Sequence, residues 1–321
     1  MLSIKEKQKI INQTIQKEYV QSINSKFHNI INYVLDGGKR LRPIIVQEIN
    51  RKLNHKFRKQ YKHTNKIYKS ISVKDLSILI ELIHSSSLII DDLPCMDDDD
   101  ERRNKPTFHI KYGNSGAQLV SYIFFTNSID MISKCIEQLK KTNNFSEDEC
   151  NERGILLYQN IIENVGLDGA TMGQYLDILP NYFNKKNLEK TETVKQIFNK
   201  YKEEEVIIDI IHKKTTALFD ISFIGSYILS GGDLENIPKL KKAVKCFGLA
   251  FQISDDFLDK EQDCERKIEN VSPNYMINYG REKTILKVKE SIVIFRKIMM
   301  ELGLWTKLFN DICLYLLKRV E

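Results

Sequence analysis

The chain has 321 residues, 42% hydrophobic and 29% charged, with a formal net charge of +6, so it can bury a large core and should be globular. No Pro/Gly/Ser-rich linker divides it, and residues 1–321 are expected to form a single domain. Its cysteines, at 95, 135, 150, 246, 264 and 313, lack C-x-x-C spacing, and no apolar run reaches about 18 residues, which argues against a zinc ribbon, a disulfide scaffold and a transmembrane segment.

In chain order, Met1 to Lys9 lack the apolar core of a secretion signal, so a soluble protein of the cytoplasm or of an organellar, plastid-like matrix is expected. Gly37-Gly38 breaks the chain ahead of Lys39-Arg40-Leu41-Arg42-Pro43, where Lys39 and Arg42, three apart, should project from one helix face. Nine Lys/Arg with no acid among them run from Arg51 to Lys74; this stretch reads as a solvated, basic inserted loop over 51–74 and not as a nucleic-acid surface. Leu76, Leu79, Ile80, Ile83, Ser87 and Ile90 follow the period of one helix face and carry Asp91 and Asp92 at their end. Helical patterns recur over Ile155–Leu179, Val206–Leu229 and Lys239–Phe257, with breaks at Asn143–Cys150 and Gly231-Gly232; alternating strand-like segments are scarce, so the fold class is all-α.

Two acidic clusters carry the chemistry. Asp91 to Glu101 holds seven carboxylates in eleven positions, and Asp255, Asp256 and Asp259 form a second group. Asp255 and Asp259 are one helical turn apart and can be bridged by a cation. Asp91 and Asp97 would diverge on an unbroken helix, but Pro94 allows a bulged turn that returns Asp97 toward Asp91. Carboxylates packed beside apolar surface need counter-ions, and oxygen-only donors suit Mg2+. An EF-hand is ruled out by the missing central glycine and the missing D-x-D-x-D alternation. Arg102-Arg103, Lys39, Arg42 and Lys213-Lys214 supply the cations that a diphosphate requires.

These segments together resemble the all-trans polyprenyl diphosphate synthases, the family of farnesyl and geranylgeranyl diphosphate synthases. The matching stretches are GGKRLRP at 37–43, His84 through DDLPCMDDDDERRNKPTFH to His109, GQYLD at 173–177, KTTAL at 214–218 and GLAFQISDDFLD at 248–259. The two extra residues in the first Asp motif resemble the bacterial and plastid-type branch. The resemblance implies an isoprenoid synthase-type helical bundle around a deep central cavity, a homodimer, and about three Mg2+ ions with the bound diphosphate. It implies Asp91, Asp92, Asp97, Asp255, Asp256 and Asp259 as metal-binding residues. Arg102 and Lys214 would hold the allylic diphosphate, and Lys39, Arg42, His84 and Arg103 the isopentenyl diphosphate. Thr215 and Gln252 would face the developing carbocation. The implied reaction is condensation of isopentenyl diphosphate with an allylic diphosphate, with no side-chain nucleophile.

The chain departs from the family pattern in three places. Only ten residues separate Asp259 from Asn270, where the family carries a longer loop with a G-K-D lysine; Lys260 or Lys267 are the available substitutes. Ser121-Tyr122 replaces a usual Gly-Asp, with an expected effect on packing, and Thr216 replaces a glycine, which should narrow the cavity wall slightly. Four and five residues before Asp91 stand Ser87 and Ser86, small where a bulky group stops elongation at C15, and the next floor, near Ile83 or Leu82, lies about 6 Å deeper. Phe124 or Phe125 could form the final stop. A C20 geranylgeranyl or longer product is therefore expected, with a farnesyl diphosphate synthase as the alternative. Retention of both acidic clusters and all the bases argues against a non-catalytic partner subunit, and Lys39, Arg42 and His84 argue against a terpene cyclase.

Overall fold

The computed structural model describes residues 3–62, 68–185, 200, 203–258 and 273–320, and among them every extended element is helical apart from one isolated β-bridge, Glu101 to Pro106. The chain packs as two compact units, one of residues 1–160 and 221–233, the other of 161–220 and 234–321.

The first unit contains α1 (Ile4–Glu18), α2 (His28–Leu35), α3 (Leu41–Tyr61), α4 (Lys74–Asp91), α5 (Phe108–Tyr112), α6 (Asn114–Thr142) and most of α7 (Glu147–Val165). Ser3 and Glu6 form a reciprocal capping box at the start of α1. The sequence period assigned α4 one apolar face, but Ser77, Ile78, Glu81 and Leu82 are buried as well as Leu76, Leu79, Ile80 and Ile83. The helix is enclosed by α1, α2, α3, α6 and a π-helical stretch at Ile221–Gly225, so it has no solvent side. Of its two buried acids, Asp75 and Glu81, the latter is neutralised by Arg40.

The expected basic loop over 51–74 is corrected at both ends. Residues 51–61 form the last three turns of α3, whose apolar Leu53 is buried, and Lys74 opens α4. Helical spacing holds the basic side chains of 51–61 on the solvent face of α3 while one face stays in the core.

In the second unit, α8 (Ala170–Lys185) and α9 (Glu204–Ile211) precede a π-helical segment, His212–Thr216, and α10 (Ala217–Asp220). After residue 234, α12 (Ile237–Leu258) lies along α13 (Tyr275–Glu301), and α14 (Lys307–Val320) packs on both; α11 (Ser226–Leu229) belongs to the first unit. Phe219, Phe247, Phe251, Phe295 and Phe309 form an aromatic core here, edge-to-face except for the tilted Phe247–Phe295 pair, with centroids of these pairs 5.0–5.9 Å apart. The long helical pattern of Ile155–Leu179 is split, because Gly166 and Gly169 separate α7 from α8.

Candidate active site

The first acidic motif begins where α4 ends. The Asp97 amide donates to the Asp91 carbonyl at 2.9 Å, and the Met96 and Asp98 amides both donate to Leu93, at 2.8 and 3.1 Å. The chain therefore doubles back after Pro94 and brings Asp97 beside Asp91, as the sequence predicted. Asp98, Arg103 and Asn104 all have φ between 56° and 61°, so strained backbone concentrates in this turn.

Arg102 is the electrostatic partner of the motif. Its Nε donates to Asp92 Oδ1 at 2.6 Å and its Nη2 lies 2.5 Å from the same oxygen, with Asp99 at 3.6 Å. Burial pushes the Asp92 carboxyl above its ordinary pKa even though Arg102 pulls the other way. Asp92 is buried against Arg102, and Asp91 and Asp97 are half-buried.

Arg103 lies over the Gly37-Gly38 loop: a Cβ added at Gly38 would stand 2.9 Å from the Arg103 guanidinium. Both glycines have φ above 80°, so a side chain there would be strained and would also displace the arginine. Tyr33 Oη donates to the Pro106 carbonyl at 2.6 Å, and Lys105 pairs with Asp36 at 2.5 Å, tying the two loops together. A small cavity of about 100 Å³ between them is lined by Gly37, Ser85, Asp92, Arg102 and Arg103 among others.

Lys39 and Arg42 do not share a helix face. Lys39 lies on the loop, and α3 begins only after Arg40, which caps it in the left-handed conformation at φ 52°. The cause is Arg40 itself, whose buried guanidinium bonds Asn12, Glu81 and the Leu35 carbonyl and pins the loop. Motif reasoning missed this residue because a charged side chain in a basic motif reads as a ligand contact. Arg42 approaches His84 Nε2 at 3.3 Å. Burial, then the charges of Arg42 and Arg103, hold the His84 pKa well below the ordinary value, so the ring is neutral and its Nε2 can accept. His84 Nδ1 is enclosed and has no protein partner.

Ser86 and Ser121 bond each other across α4 and α6. Ser86 Oγ donates to the Ser121 carbonyl at 3.0 Å, and the two hydroxyls are 2.7 Å apart. The effect of Ser121 on packing is this contact. Phe124 is fully buried with its ring edge-to-face on Tyr19, whereas Phe125 is 39% exposed.

The second unit carries the other group. Gly173 lets α8 cross the π-helical segment so closely that a Cβ there would stand 2.2 Å from the Lys214 amide. One turn later Asp177 pairs with Lys214 Nζ. π-Helical turns often mark functional positions, and this one displays Lys213, Lys214 and Thr215 in succession. Thr215 Oγ1 bonds Gln252 Oε1 at 2.5 Å, and Gln252 Nε2 donates to Asp256 Oδ1 at 2.8 Å. Asp256 Oδ2 accepts from the Tyr275 amide at 2.8 Å, so this aspartate ties α12 to the start of α13. Asp255 pairs with Arg319 of α14. Thr216 packs against Gly248 and contacts His212 at 3.2 Å, which is where its extra bulk goes. Asp259, Lys260 and Lys267 lie outside the described residues.

Asp177 and Arg319 were not read as site residues. Asp177 was legible as the last residue of GQYLD; Arg319 sits in no motif and carried no signal.

The polyprenyl synthetase family model matches residues 24–271. A trans-prenyltransferase of African swine fever virus (isolate Pig/Kenya/KEN-50/1950) is 29% identical over 283 residues, covering 88% of this chain and 72% of the relative. The farnesyl diphosphate synthase of Bacillus subtilis (strain 168) is 33% identical over 230 residues, 72% of this chain and 64% of that protein. Geranylgeranyl pyrophosphate synthase 6, mitochondrial, of Arabidopsis thaliana is 28% identical over 240 residues, 74% and 61%. The crystal structure of a geranyltransferase from Legionella pneumophila superposes with TM-score 0.69 at 21% identity, covering 99% of each chain, a likeness of fold.

Proposed function

From the premise that this chain belongs to the polyprenyl synthetase family and is a chain-elongating trans-prenyltransferase, we propose that it condenses isopentenyl diphosphate with an allylic diphosphate, with geranylgeranyl diphosphate or a longer prenyl diphosphate as product. The observation that carries this reading is the back-folded Asp91–Asp97 turn set beside Arg102 and beside the Gly37-Gly38 loop under Arg103.

Among the described residues no three metal-ligating side chains converge into a preformed cage. That fits Mg2+, which binds through one or two carboxylates with substrate phosphates and water completing its octahedron. Asp91, Asp97 and Asp255 supply oxygen donors of the right kind, with Asp92 and Asp256 positioning the two motifs and Asp259 a further proposed ligand. When bound, Mg2+ supplies the Lewis acid that draws charge from the leaving diphosphate.

Arg102 and Lys214 would hold the allylic diphosphate. Each is already aimed by an acid, Asp92 and Asp177, so a phosphate anion inherits a pre-oriented cation. Lys39, Arg42, Arg103 and neutral His84 would hold isopentenyl diphosphate, and the enclosed His84 Nδ1 fits a donor to a phosphate oxygen. Thr215 and Gln252 lock each other and turn fixed dipoles, not a nucleophile, toward the cationic carbon. Small Ser86 and Ser87 would leave the floor of the tail pocket to Ile83 or Leu82, which is the reading behind the C20 or longer product.

No described helix is long and apolar enough to cross a membrane. Leu119, Tyr122, Ile123 and Ile129 form an exposed apolar stripe along α6, which supports a homodimer. The test is incorporation of radiolabelled isopentenyl diphosphate with Mg2+ and C5, C10 or C15 primers, with products sized by chromatography. No incorporation with any primer would sink the reading, and a pool ending at C15 would replace the C20 assignment.

A further inference from the structure

Each acidic motif has one aspartate gripped by a guanidinium from elsewhere in its own unit. In the first motif the partner is Arg102, ten residues along the chain from Asp92. In the second it is Arg319, sixty-four residues from Asp255 and on the last turn of α14.

The Arg319 side chain is only 12% exposed, and that of Asp255 is 29% exposed. The Arg319 guanidinium also lies 4.7 Å from the Tyr315 ring, one helical turn earlier, which fixes its approach. Yet Arg319 Nε is buried without an acceptor. The grip is therefore a charge match with an incomplete set of hydrogen bonds, and a better neutraliser of the carboxylate can displace it at small cost. Asp256, the adjacent aspartate, is tied separately by Gln252 and the Tyr275 amide, so Arg319 acts on Asp255.

We infer that Arg319 is a positioning residue that holds and neutralises Asp255 until a divalent cation takes over that carboxylate. The inference rests on the proposal above that Asp255 is a metal ligand. A cation entering the second motif must compete with this guanidinium, and removing the guanidinium should ease its entry.

The experiment titrates Mg2+ into the full chain at fixed inorganic pyrophosphate and follows the thermal midpoint, with no turnover required. Arg319→Met should lower the half-saturating Mg2+ concentration about three- to tenfold, the span of a partly exposed, charge-assisted pair. Arg319→Lys should restore the wild-type value. Lys318→Met, which removes the same charge from the adjacent exposed position, should leave it unchanged. In chelator, Arg319→Met and Asp255→Asn should each lower the midpoint, and the double variant should fall no further than the more damaging single change. A half-saturation that is unchanged or raised in Arg319→Met, or additive losses in chelator, overturns the inference. Should Arg319→Met fail to fold, an Asp255→Asn midpoint in chelator at or above wild type overturns it equally. Absence of any Mg2+ response in the wild type would instead remove the metal-ligand reading on which it stands.

Discussion

Gly248→Ala is a small change with a large expected consequence. The added Cβ would stand 2.2 Å from Thr216 Oγ1 and 2.7 Å from both Thr216 Cβ and Cγ2, well inside the 3.4 Å at which ordinary contact begins. Threonine is β-branched and stiff at χ1, and this one is 3% exposed and in contact with His212, so it cannot turn away. The α12 helix and the π-helical segment must separate. Overpacking of this kind costs about 3 kcal/mol, offset by about 1 kcal/mol from replacing a helical glycine, for a net loss of about 2 kcal/mol. For a chain of 321 residues, with about 2.1 cal/mol/K of unfolding entropy per residue, that is a fall of about 3 °C in Tm. Gln252 lies one turn from Gly248, and Thr215 is the neighbour of Thr216, so the same displacement opens the Thr215–Gln252 bond and should lower kcat about ten- to a hundredfold. Thr216→Gly in the same chain removes the clash by moving the glycine across the interface, and should restore stability to within about 1 kcal/mol of wild type. The assays are thermal unfolding and incorporation of isopentenyl diphosphate. A Gly248→Ala chain with unchanged Tm, or a double variant no better than the single, refutes the packing argument.

Asp91→Ala or Asp255→Ala should lower turnover by orders of magnitude with the helical circular dichroism signal intact, because the leaving group loses its assistance; near-normal turnover in either folded variant contradicts the metal assignment. Lys39→Ala or Arg103→Ala should raise the KM for isopentenyl diphosphate about ten- to a hundredfold, and Lys214→Ala that for the allylic substrate, so equal effects on both substrates for every variant would dissolve the two-pocket reading. His84 is held neutral with its pKa below the unfolded value of 6.5, so its contribution is complete above that pH and is lost as pH falls toward the folded pKa. Wild-type Tm should thus drop more steeply than that of His84→Gln between pH 7 and 5, and parallel profiles would show that the ring does not stay neutral in the fold. Ser86→Phe should shorten the products, and it also removes the hydroxyl that bonds Ser121; product lengths equal to wild type would show that this position does not set them.

Much of the site was legible because its residues act through local geometry. Pro94 cannot continue a helix, so the return of Asp97 to Asp91 follows from the chain's own chemistry, and Asp91 ends α4 because the apolar period stops there. Residues whose roles depend on distant partners were misread or unread. Arg40 looks in sequence like one more phosphate-binding cation between Lys39 and Arg42. Its partners Asn12, Leu35 and Glu81 come from three other segments, and only their meeting converts it into the staple that excludes Lys39 from α3. The basic run after Arg51 failed for a related reason. Its charge pattern describes the solvent face, while Leu53 shows that the same residues also present a core face, and a helix satisfies both. Thr216 extends the point to substitutions. Alone it is extra bulk on a wall, but Gly248, thirty-two residues later, accommodates it, so the pair and not the single position decides what the change does to the site.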